Sequence, residues 1–346
     1  MLAAAAFVRP PVTPVQRGLL APKVAAAKTL AKPAVTANAQ PPAFATTPGA
    51  SVKGFVVEEI VFAPWGTGVG ELGVSHPKEA NPEAPMSLAV DAEGKVHVLD
   101  QLNRRISVFD PNGGPTRVVP IGSDTVQDLA IDPRGGWAIL DRLVAREVRF
   151  LDANGKVRAQ VPVVGQGIPE SGVVTGLFAA SDGFWLETEH KSLTRVATVD
   201  GEPDPKRPTI AGRRATPTSP LLRAARDPAG YAVVSAIDSQ MGSNGFLARV
   251  PFSAPVLELV GLEGDGLGTT FVGAHVARET TTAPFSLYDE TLTVVALDRN
   301  GTEIGRFDLP PQTGPEEQLK SMVLSPKGLV HHLHVGATGA TIRRAR

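Results

Sequence analysis

The stretch Ser87-Leu-Ala-Val-Asp91-Ala-Glu-Gly94-Lys-Val-His-Val-Leu99 decides the fold. One apolar segment leads into the four residues from Asp91 to Gly94, and a second apolar segment follows them. The Asp91 side chain can accept hydrogen bonds from the turn backbone, and Gly94 can adopt the positive φ that such a turn needs. The stretch therefore predicts two antiparallel strands joined by a tight turn.

The same strand-turn-strand pattern recurs at steps of about 40 to 50 residues, the length of one four-stranded propeller blade. A second alternating strand, closed by another turn as in Ile106-Ser-Val-Phe-Asp110-Pro-Asn-Gly113, comes after the first pattern. Each repeat therefore predicts a meander of strands. The further copies of the first pattern are 128–140, 177–186, 222–234 and 322–330.

The step to the last copy is about twice as long as the others, which predicts a degenerate repeat near residue 276. We expect its first strand at 271–277, its second at 284–289, its third at 292–298 and its fourth at 303–309. With this repeat the chain has six units.

The two ends of the repeat region complement each other. The sixth unit supplies only three strands, the last of them at 340–346, whereas Gly54-Phe-Val-Val-Glu-Glu-Ile-Val-Phe-Ala63 has no unit of its own. Pairing these two segments would close a ring and remove an exposed sheet edge. The predicted fold is therefore all-β: a six-bladed β-propeller of four-stranded antiparallel blades, closed by the N-terminal strand. A β-sandwich with a second domain would explain the composition but not the even period.

Composition agrees with an all-β fold and limits the chemistry. The 346 residues include 35 Gly and 31 Pro, as expected for many short strands joined by turns. The absence of Cys excludes disulfides, thiol nucleophiles and cysteine metal sites. Residues 1–50 are rich in Ala and Pro, carry only basic charges and lack strand or helix periodicity. They predict a disordered tail or a targeting segment, and residues 51–346 predict a single propeller domain.

The first unit resembles an NHL repeat. Val96-His-Val-Leu-Asp100-Gln-Leu-Asn103-Arg104-Arg105-Ile106-Ser-Val-Phe109-Asp110-Pro-Asn-Gly113 has the short strand, the Asp, the Asn-x-Arg-Ile, the aromatic residue and the final turn of that family. The match covers about residues 86–113. The second unit has Val144 where the family has Asn, and later units keep only strands and turns. The resemblance implies a propeller and transfers no activity.

Loops between outer and next inner strands, and between second and third strands, meet at one end of a propeller channel, where we expect a partner to bind. These loops hold a charged set that predicts a surface for a protein or small-molecule partner. The set is Asp100, Arg104, Arg105, Arg142, Arg146, Arg213 and Arg214.

An enzymatic alternative is a calcium-dependent hydrolase or lactonase with a metal in the channel, because Ca²⁺ prefers several oxygen ligands. The candidate ligands are Glu83, Asp124, Asp128, Asp238, Asn244 and Asp265. Zinc would need a third ligand from His97, His190 or His275 beside the alternating pair His332 and His334.

Charge and motifs favour a non-enzymatic binding or scaffolding propeller without a cofactor. No catalytic motif is visible, and the repeat region is net acidic with few aromatic residues, so nucleic acid is an unexpected partner. No apolar run reaches the length of a membrane-spanning helix. We expect a monomer. The Arg-rich, Cys-free composition favours the cell envelope or secretion in a GC-rich bacterium over the cytoplasm.

Overall fold

The structure is a computed structural model that describes residues 54–214, 219–237, 244–311 and 318–346. Helical geometry in these residues is limited to two single 3₁₀ turns, Gln101–Asn103 and Ser171–Val173. The strands are β1 (Val57–Pro64), β2 (Ser87–Val90), β3 (Val96–Asp100), β4 (Arg105–Phe109), β5 (Pro115–Pro120), β6 (Asp128–Ile131), β7 (Trp137–Asp141), β8 (Glu147–Leu151), β9 (Val157–Pro162), β10 (Val174–Ala180), β11 (Gly183–Thr188), β12 (Ser192–Ala197), β13 (Thr209–Ala211), β14 (Leu221–Arg226), β15 (Ala232–Ile237), β16 (Asn244–Val250), β17 (Val256–Gly264), β18 (Thr270–Glu279), β19 (Leu287–Leu297), β20 (Glu303–Leu309), β21 (Met322–Leu324), β22 (Val330–Val335) and β23 (Gly339–Ala345).

These strands form six antiparallel sheets, one for each blade of a β-propeller, so the predicted fold class is confirmed. Blades one to three are β2–β5, β6–β9 and β10–β13, and the fifth is β17–β20. The fourth blade has three strands, β14–β16, in the described part of the chain. The inner strands of the blades surround a central channel. The predicted tail, 1–50, lies outside the described residues.

The sixth blade closes the ring as predicted. Its order is β21, β22, β23 and β1, so the first strand of the repeat region is the outer strand of the last blade. β1 and β23 run antiparallel, with Val57 opposite Ala345 and Pro64 opposite Gly339. An ion pair between Glu58 and Arg344, with 2.7 Å between Oε1 and Nη2, joins the two ends of the repeat region across this register.

The strand assignment of the fifth blade differs from the prediction. Its first strand is β17, and the predicted first strand, 271–277, lies within the second strand, β18. The segment 284–289 is not a separate strand, because β18 and β19 form one long hairpin that includes part of it. The turn equivalent to Asp91 begins at Asp265, whose amide donates to the Thr269 carbonyl. The error arose because the sequence does not show whether an apolar segment ends one blade or begins the next.

The inner strand of the fourth blade runs opposite to that of the fifth. Arg226, at the end of β14, donates to the carbonyl of Val256, which begins β17. Arg213, which pairs with Leu222 near the start of β14, donates to the carbonyl of Leu262 near the end of β17. The contacts therefore run in reverse order along the two strands. As a consequence, the turn after β14 lies at the opposite end of the channel from the turn after β17.

The predicted turn glycines all have positive φ: 94° at Gly94, 95° at Gly135, 84° at Gly230 and 75° at Gly328. The turns share most of their hydrogen bonding as well. In three of the turns the first side chain, an Asp or Ser, accepts from the backbone amide four residues later, as in Asp91 with Lys95, at 2.8 Å, whereas Asp132 accepts from the amide of Arg134. Similar local chemistry thus forms similar turns, even where the strand direction differs.

The hydrophobic core lies between neighbouring blades as well as within them. Phe150 of the second blade and Phe184 of the third meet edge to face, with ring centroids 4.7 Å apart. Clusters of buried apolar side chains join the second blade to the first and third, the fifth to the fourth and sixth, and the sixth to the first. Among the described residues, no helix is long and apolar enough to cross a bilayer.

Candidate functional site

The central channel contains a cavity of about 700 Å³, a volume within the range of small-molecule sites. Each of the six inner strands contributes an apolar side chain to its wall. These side chains are Leu88, Leu129, Leu177, Leu222, Leu262 and Val323.

The cavity reaches the end of the channel that carries the turns between first and second strands. Residues of five such turns line it: Asp91, Pro133, Asp182, Asp265 and Pro326. The sequence had placed the ligand at the other end, among the loops that enter the inner strands. Of the residues predicted there, Arg213 and Arg214 contact the cavity, because they extend from the loop after β13 into the channel.

Asp128 begins the inner strand of the second blade and contacts three other blades, the first, third and sixth. Its carboxylate is fully buried and accepts hydrogen bonds from the Ser87 hydroxyl of the first blade and from the Leu177 amide of the third. Its Oδ1 also lies 3.0 Å from Nζ of Lys320. All these donors come from the chain itself, so Asp128 is a structural residue of the channel wall.

Lys320 is the cationic partner of Asp128 and precedes β21 in the sixth blade. Its Nζ donates to the carbonyls of Leu129 at 3.0 Å and Leu177 at 2.6 Å, and lies 4.9 Å from the ring centroid of Phe178. Three donors thus have three acceptors. Lys320 joins the sixth blade to the second and third across the channel.

A second buried ion pair joins Arg213 to Glu187. Nη2 of Arg213 donates to Oε2 of Glu187 at 2.8 Å, and Nε donates to Oε1. Burial alone would raise the pKa of Glu187, but the charge of Arg213 and hydrogen bonds from His190 and Arg213 outweigh it and lower the pKa. The Glu187 carboxyl group is therefore ionised, and both of its oxygens accept hydrogen bonds from Arg213. This bidentate pairing fixes the Arg213 guanidinium in the channel wall.

Glu263 differs from the other two carboxylates. Its Oε1 lies 3.4 Å from Nη1 of Arg213, a long contact to a group that already pairs with Glu187. Its side chain is 23% exposed and contributes to the cavity wall. Burial, the largest influence, raises the pKa of Glu263, and the charge of Glu187 acts in the same direction, against Arg213 and Lys320.

Two aromatic rings make cation–π contacts with the basic side chains of the channel. The Arg213 guanidinium lies 5.1 Å from the Phe178 centroid, on the ring that Lys320 also contacts. Arg214 lies 5.4 Å from the centroid of Trp185. Trp185 and Phe178 both line the cavity, so the wall of the third blade combines aromatic surface with positive charge.

A smaller cavity of about 270 Å³ is lined by His190, Arg226 and Glu258, among others. Nδ1 of His190 lies 2.9 Å from Oε2 of the buried Glu187, and the imidazole is otherwise largely exposed. His190 has φ of 55° and follows Glu189 with φ of 50°, so two side-chain-bearing residues occupy left-handed turn positions.

The predicted partner set divides into buried and exposed members. Asp100 and Arg105 form a buried ion pair with 2.7 Å between Oδ2 and Nε, and Arg105 also donates to three backbone carbonyls. Arg142 is buried and donates to the Val174 carbonyl at 2.6 Å. Arg104, paired with Asp124, and Arg146 are exposed. The loop signature resembling an NHL repeat therefore supplies internal contacts in the first blade.

The predicted calcium ligands are not brought together among the described residues. Glu83 is exposed, Asp124 accepts two hydrogen bonds from Arg104, and Asp128 is saturated as described above. Asp265 binds the amides of its own turn. Asp238 lies outside the described residues, as does the side chain of Asn244. No group of three or more metal-binding side chains is found in the described part of the chain.

The histidines proposed for zinc are also separated. His332 and His334 are neighbours, with ring centroids 6.3 Å apart. His97 instead accepts from Trp137 and donates to Asp91, and His275 contacts Glu290. His190 is held by Glu187.

Sequence reasoning missed Lys320, Glu187 and Glu263. Glu187 had one visible signal, since it ends the apolar run Phe184-Trp-Leu within a predicted strand. Lys320 had none, because its partners lie far away along the chain.

The fold and site together define a closed six-bladed β-propeller with a ligand-sized, mostly apolar channel cavity crossed by buried ion pairs. No family model matches the chain, and no curated protein matches it. Among solved structures, it is similar to a member of the DUF4221 family from Bacteroides vulgatus, at 9% identity and TM-score 0.51, covering 86% of this chain and 98% of that one.

Two further structures are similar at lower TM-scores. One is hydrazine synthase from Kuenenia stuttgartiensis, with TM-score 0.45 and 14% identity over 75% of this chain and 79% of that one. The other is virginiamycin B lyase from Staphylococcus aureus, with TM-score 0.39 and 12% identity over 84% and 99%. At these identities the similarity concerns the fold alone.

Proposed function

We propose that this protein is a non-enzymatic binding propeller that holds a small molecule in its central channel cavity. The cavity carries the proposal: it has the volume of a small-molecule site and an apolar wall with few polar groups, as such sites usually do. The inner charges support it, because Lys320 and Arg213 are already paired with Asp128 and Glu187 and so stabilise the wall.

The calcium-dependent hydrolase is the weaker candidate. A calcium site needs several oxygen atoms open to one ion, whereas Asp128 and Asp265 use theirs on donors of the chain. We therefore propose function without a metal cofactor, and we expect neither calcium nor a chelator to change the melting temperature.

The remaining expectations from the sequence stay proposals. They are a monomeric propeller of the broad NHL kind, a protein partner as the alternative to a small molecule, no nucleic-acid partner, and a location in the cell envelope or outside a GC-rich bacterium. The exposed Arg104 and Arg146 support a partner surface at the second end of the channel.

A cavity-filling variant tests the proposed function. Ala179 lines the cavity, so Ala179→Phe should reduce its volume, whereas Ala145→Phe places the same ring on an exposed loop. We expect members of a small-molecule collection to raise the melting temperature of wild type and of Ala145→Phe, but not of Ala179→Phe. Binding that survives in Ala179→Phe, or a collection without any binder, would contradict a ligand site in the channel.

A further inference from the structure

The cavity wall contains one carboxylate, that of Glu263, whose oxygens are only partly occupied by donors of the chain itself. Arg213 gives Nε and Nη2 to Glu187, and its Nη1 is shared between the Leu262 carbonyl at 3.1 Å and Glu263 at 3.4 Å. Within the described residues, Oε2 of Glu263 receives no hydrogen bond. Glu263 can therefore accept a donor from a molecule in the cavity.

The nearby cationic side chains do not occupy this acceptor oxygen of Glu263, because each is engaged elsewhere. Lys320 is fully engaged by Asp128 and two carbonyls, and Arg213 is engaged by Glu187. Arg214 stacks on Trp185 in the wall that the third blade forms. The two buried pairs are neutral in sum, so Glu263 is a further acidic group on the wall of the fifth blade, and Arg214 is a further basic group on another part of the wall, against Trp185.

The entrance of the cavity favours a positive ligand. Asp91, Asp182 and Asp265 lie at the end where the turns meet. Asp182 is 3.7 Å from Arg195 and Asp91 faces the imidazole of His97, which desolvation keeps neutral by lowering its pKa. Carboxylates at the mouth of a low-dielectric channel attract cations and repel anions.

We propose, on the basis of the proposed channel site, that the ligand is a small amphiphilic amine. Its ammonium group donates to the free carboxylate oxygen of Glu263, and its apolar body packs against the ring of Leu and Val side chains in the channel. An ammonium group supplies up to three donors and a full positive charge, which match a partly buried carboxylate. The raised pKa of Glu263 agrees with this, because a bound cation restores the charged form that burial disfavours.

Three probes of one shape separate charge from apolar burial. They are 4-phenylbutylamine, the neutral 4-phenylbutan-1-ol and the anionic 4-phenylbutyrate. Titration calorimetry and Trp185 fluorescence can measure binding, since Trp185 lines the cavity. We expect the amine to bind wild type about tenfold more tightly than the alcohol, the effect of a hydrogen bond to a charged group, and the carboxylate to bind least.

Variants on one strand provide the matched comparison. Glu263→Gln keeps the shape and removes the charge, and it should abolish the preference for the amine over the alcohol. Glu258→Gln makes the same change on β17 at an exposed side chain that lines the smaller cavity, and it should keep the preference. Because burial raises the pKa of Glu263 and the proposed site uses its ionised form, amine binding should tighten as the pH rises through that pKa.

The outcomes distinguish the two proposals. If the alcohol or the carboxylate binds wild type as tightly as the amine, or if Glu263→Gln retains the preference, the amine proposal is wrong and the channel site stands. If no probe binds and Ala179→Phe behaves as wild type toward every compound, the channel site itself fails. The wild-type probe series decides the charge question even if Glu263→Gln does not fold.

Discussion

The sixth and fourth blades have strand counts that differ from what the continuity of their sequences suggests. The sixth is assembled from both ends of the repeat region, and its four strands are continuously paired. The fourth comes from contiguous sequence and has three strands in the described residues. The five residues that follow β16, Pro251-Phe-Ser-Ala-Pro255, form no strand, and the chain enters the next blade as β17 directly after them.

This comparison shows that contiguity does not determine the strand count of a blade. β1 pairs with β23 over its whole length apart from one irregularity between Glu59 and Val61, and its two acidic residues, Glu58 and Glu59, face Arg344 and Arg343. The residues after β16 offer neither. Closure by a distant strand is therefore stable where local continuation is not.

The largest expected effect comes from removing the closing strand. Deleting residues 1–63 removes β1 and exposes the β23 edge with its apolar neighbours, so we expect aggregation or loss of the cooperative thermal transition. Deleting residues 1–50 leaves β1 intact and should change the melting temperature by no more than a few degrees. Circular dichroism melts of the two truncations decide this, and equal behaviour would contradict the role of β1 as the closing strand.

The sixth blade also introduces a pH dependence that the fourth blade, without histidine, lacks. Burial lowers the pKa of His331 to about 4 and that of His332 to about 3, and Arg344 near the first, with Arg343 and His334 near the second, acts in the same direction. Unfolded histidine titrates near 6.5, so protons bind the unfolded chain first as the pH falls. Stability is therefore complete above about pH 6.5 and decreases below it, by about 1.4 kcal/mol per pH unit for each histidine.

Urea unfolding between pH 7 and 5 measures this slope. His331→Gln and His332→Gln should each reduce it by one proton, and His76→Gln, which makes the same substitution at an exposed position, is the matched control. A slope that persists in the double variant His331→Gln/His332→Gln would assign the pH dependence to other groups.

The sequence was sufficient for the blade count because the turns are local signals, and for the closure because the sixth unit lacked one strand. Asp91 and Gly94 form the same turn wherever the pattern occurs, and an unpaired strand such as 54–63 needs a partner. The assignment of β17 and the direction of β14 were not predictable, since an apolar segment can pair on either side. Arg213 was found as a charged loop residue. Its partner Glu187 was not, because buried ion pairs in the channel depend on which blades meet.

The turn glycines of the sixth and fourth blades allow a further test of the comparison between these blades, with a smaller expected change in stability. Gly328 of the sixth blade and Gly230 of the fourth have φ of 75° and 84°. A Cβ at Gly328 meets no atom within 4 Å, so Gly328→Ala should cost about 1 kcal/mol from the left-handed backbone alone. A Cβ at Gly230 would lie 3.2 Å from Cβ of Pro255, so Gly230→Ala should cost more. Urea unfolding of both variants measures the difference, and equal costs would show that Pro255 moves freely.

The smallest effect concerns the edge of the fourth blade. In the described residues β16 is the outermost strand there, and Leu247 on it is 72% exposed, whereas the edge strand of the sixth blade carries Glu58 and Glu59. A lysine on an exposed edge disfavours pairing with another chain, so Leu247→Lys should slow aggregation on heating while changing the free energy of unfolding by less than about 0.5 kcal/mol. Val199→Lys makes the same change at an exposed position outside any strand and should not alter aggregation. Light scattering during a thermal ramp compares the three proteins, and equal protection by both lysines would attribute the effect to net charge and not to the β16 edge.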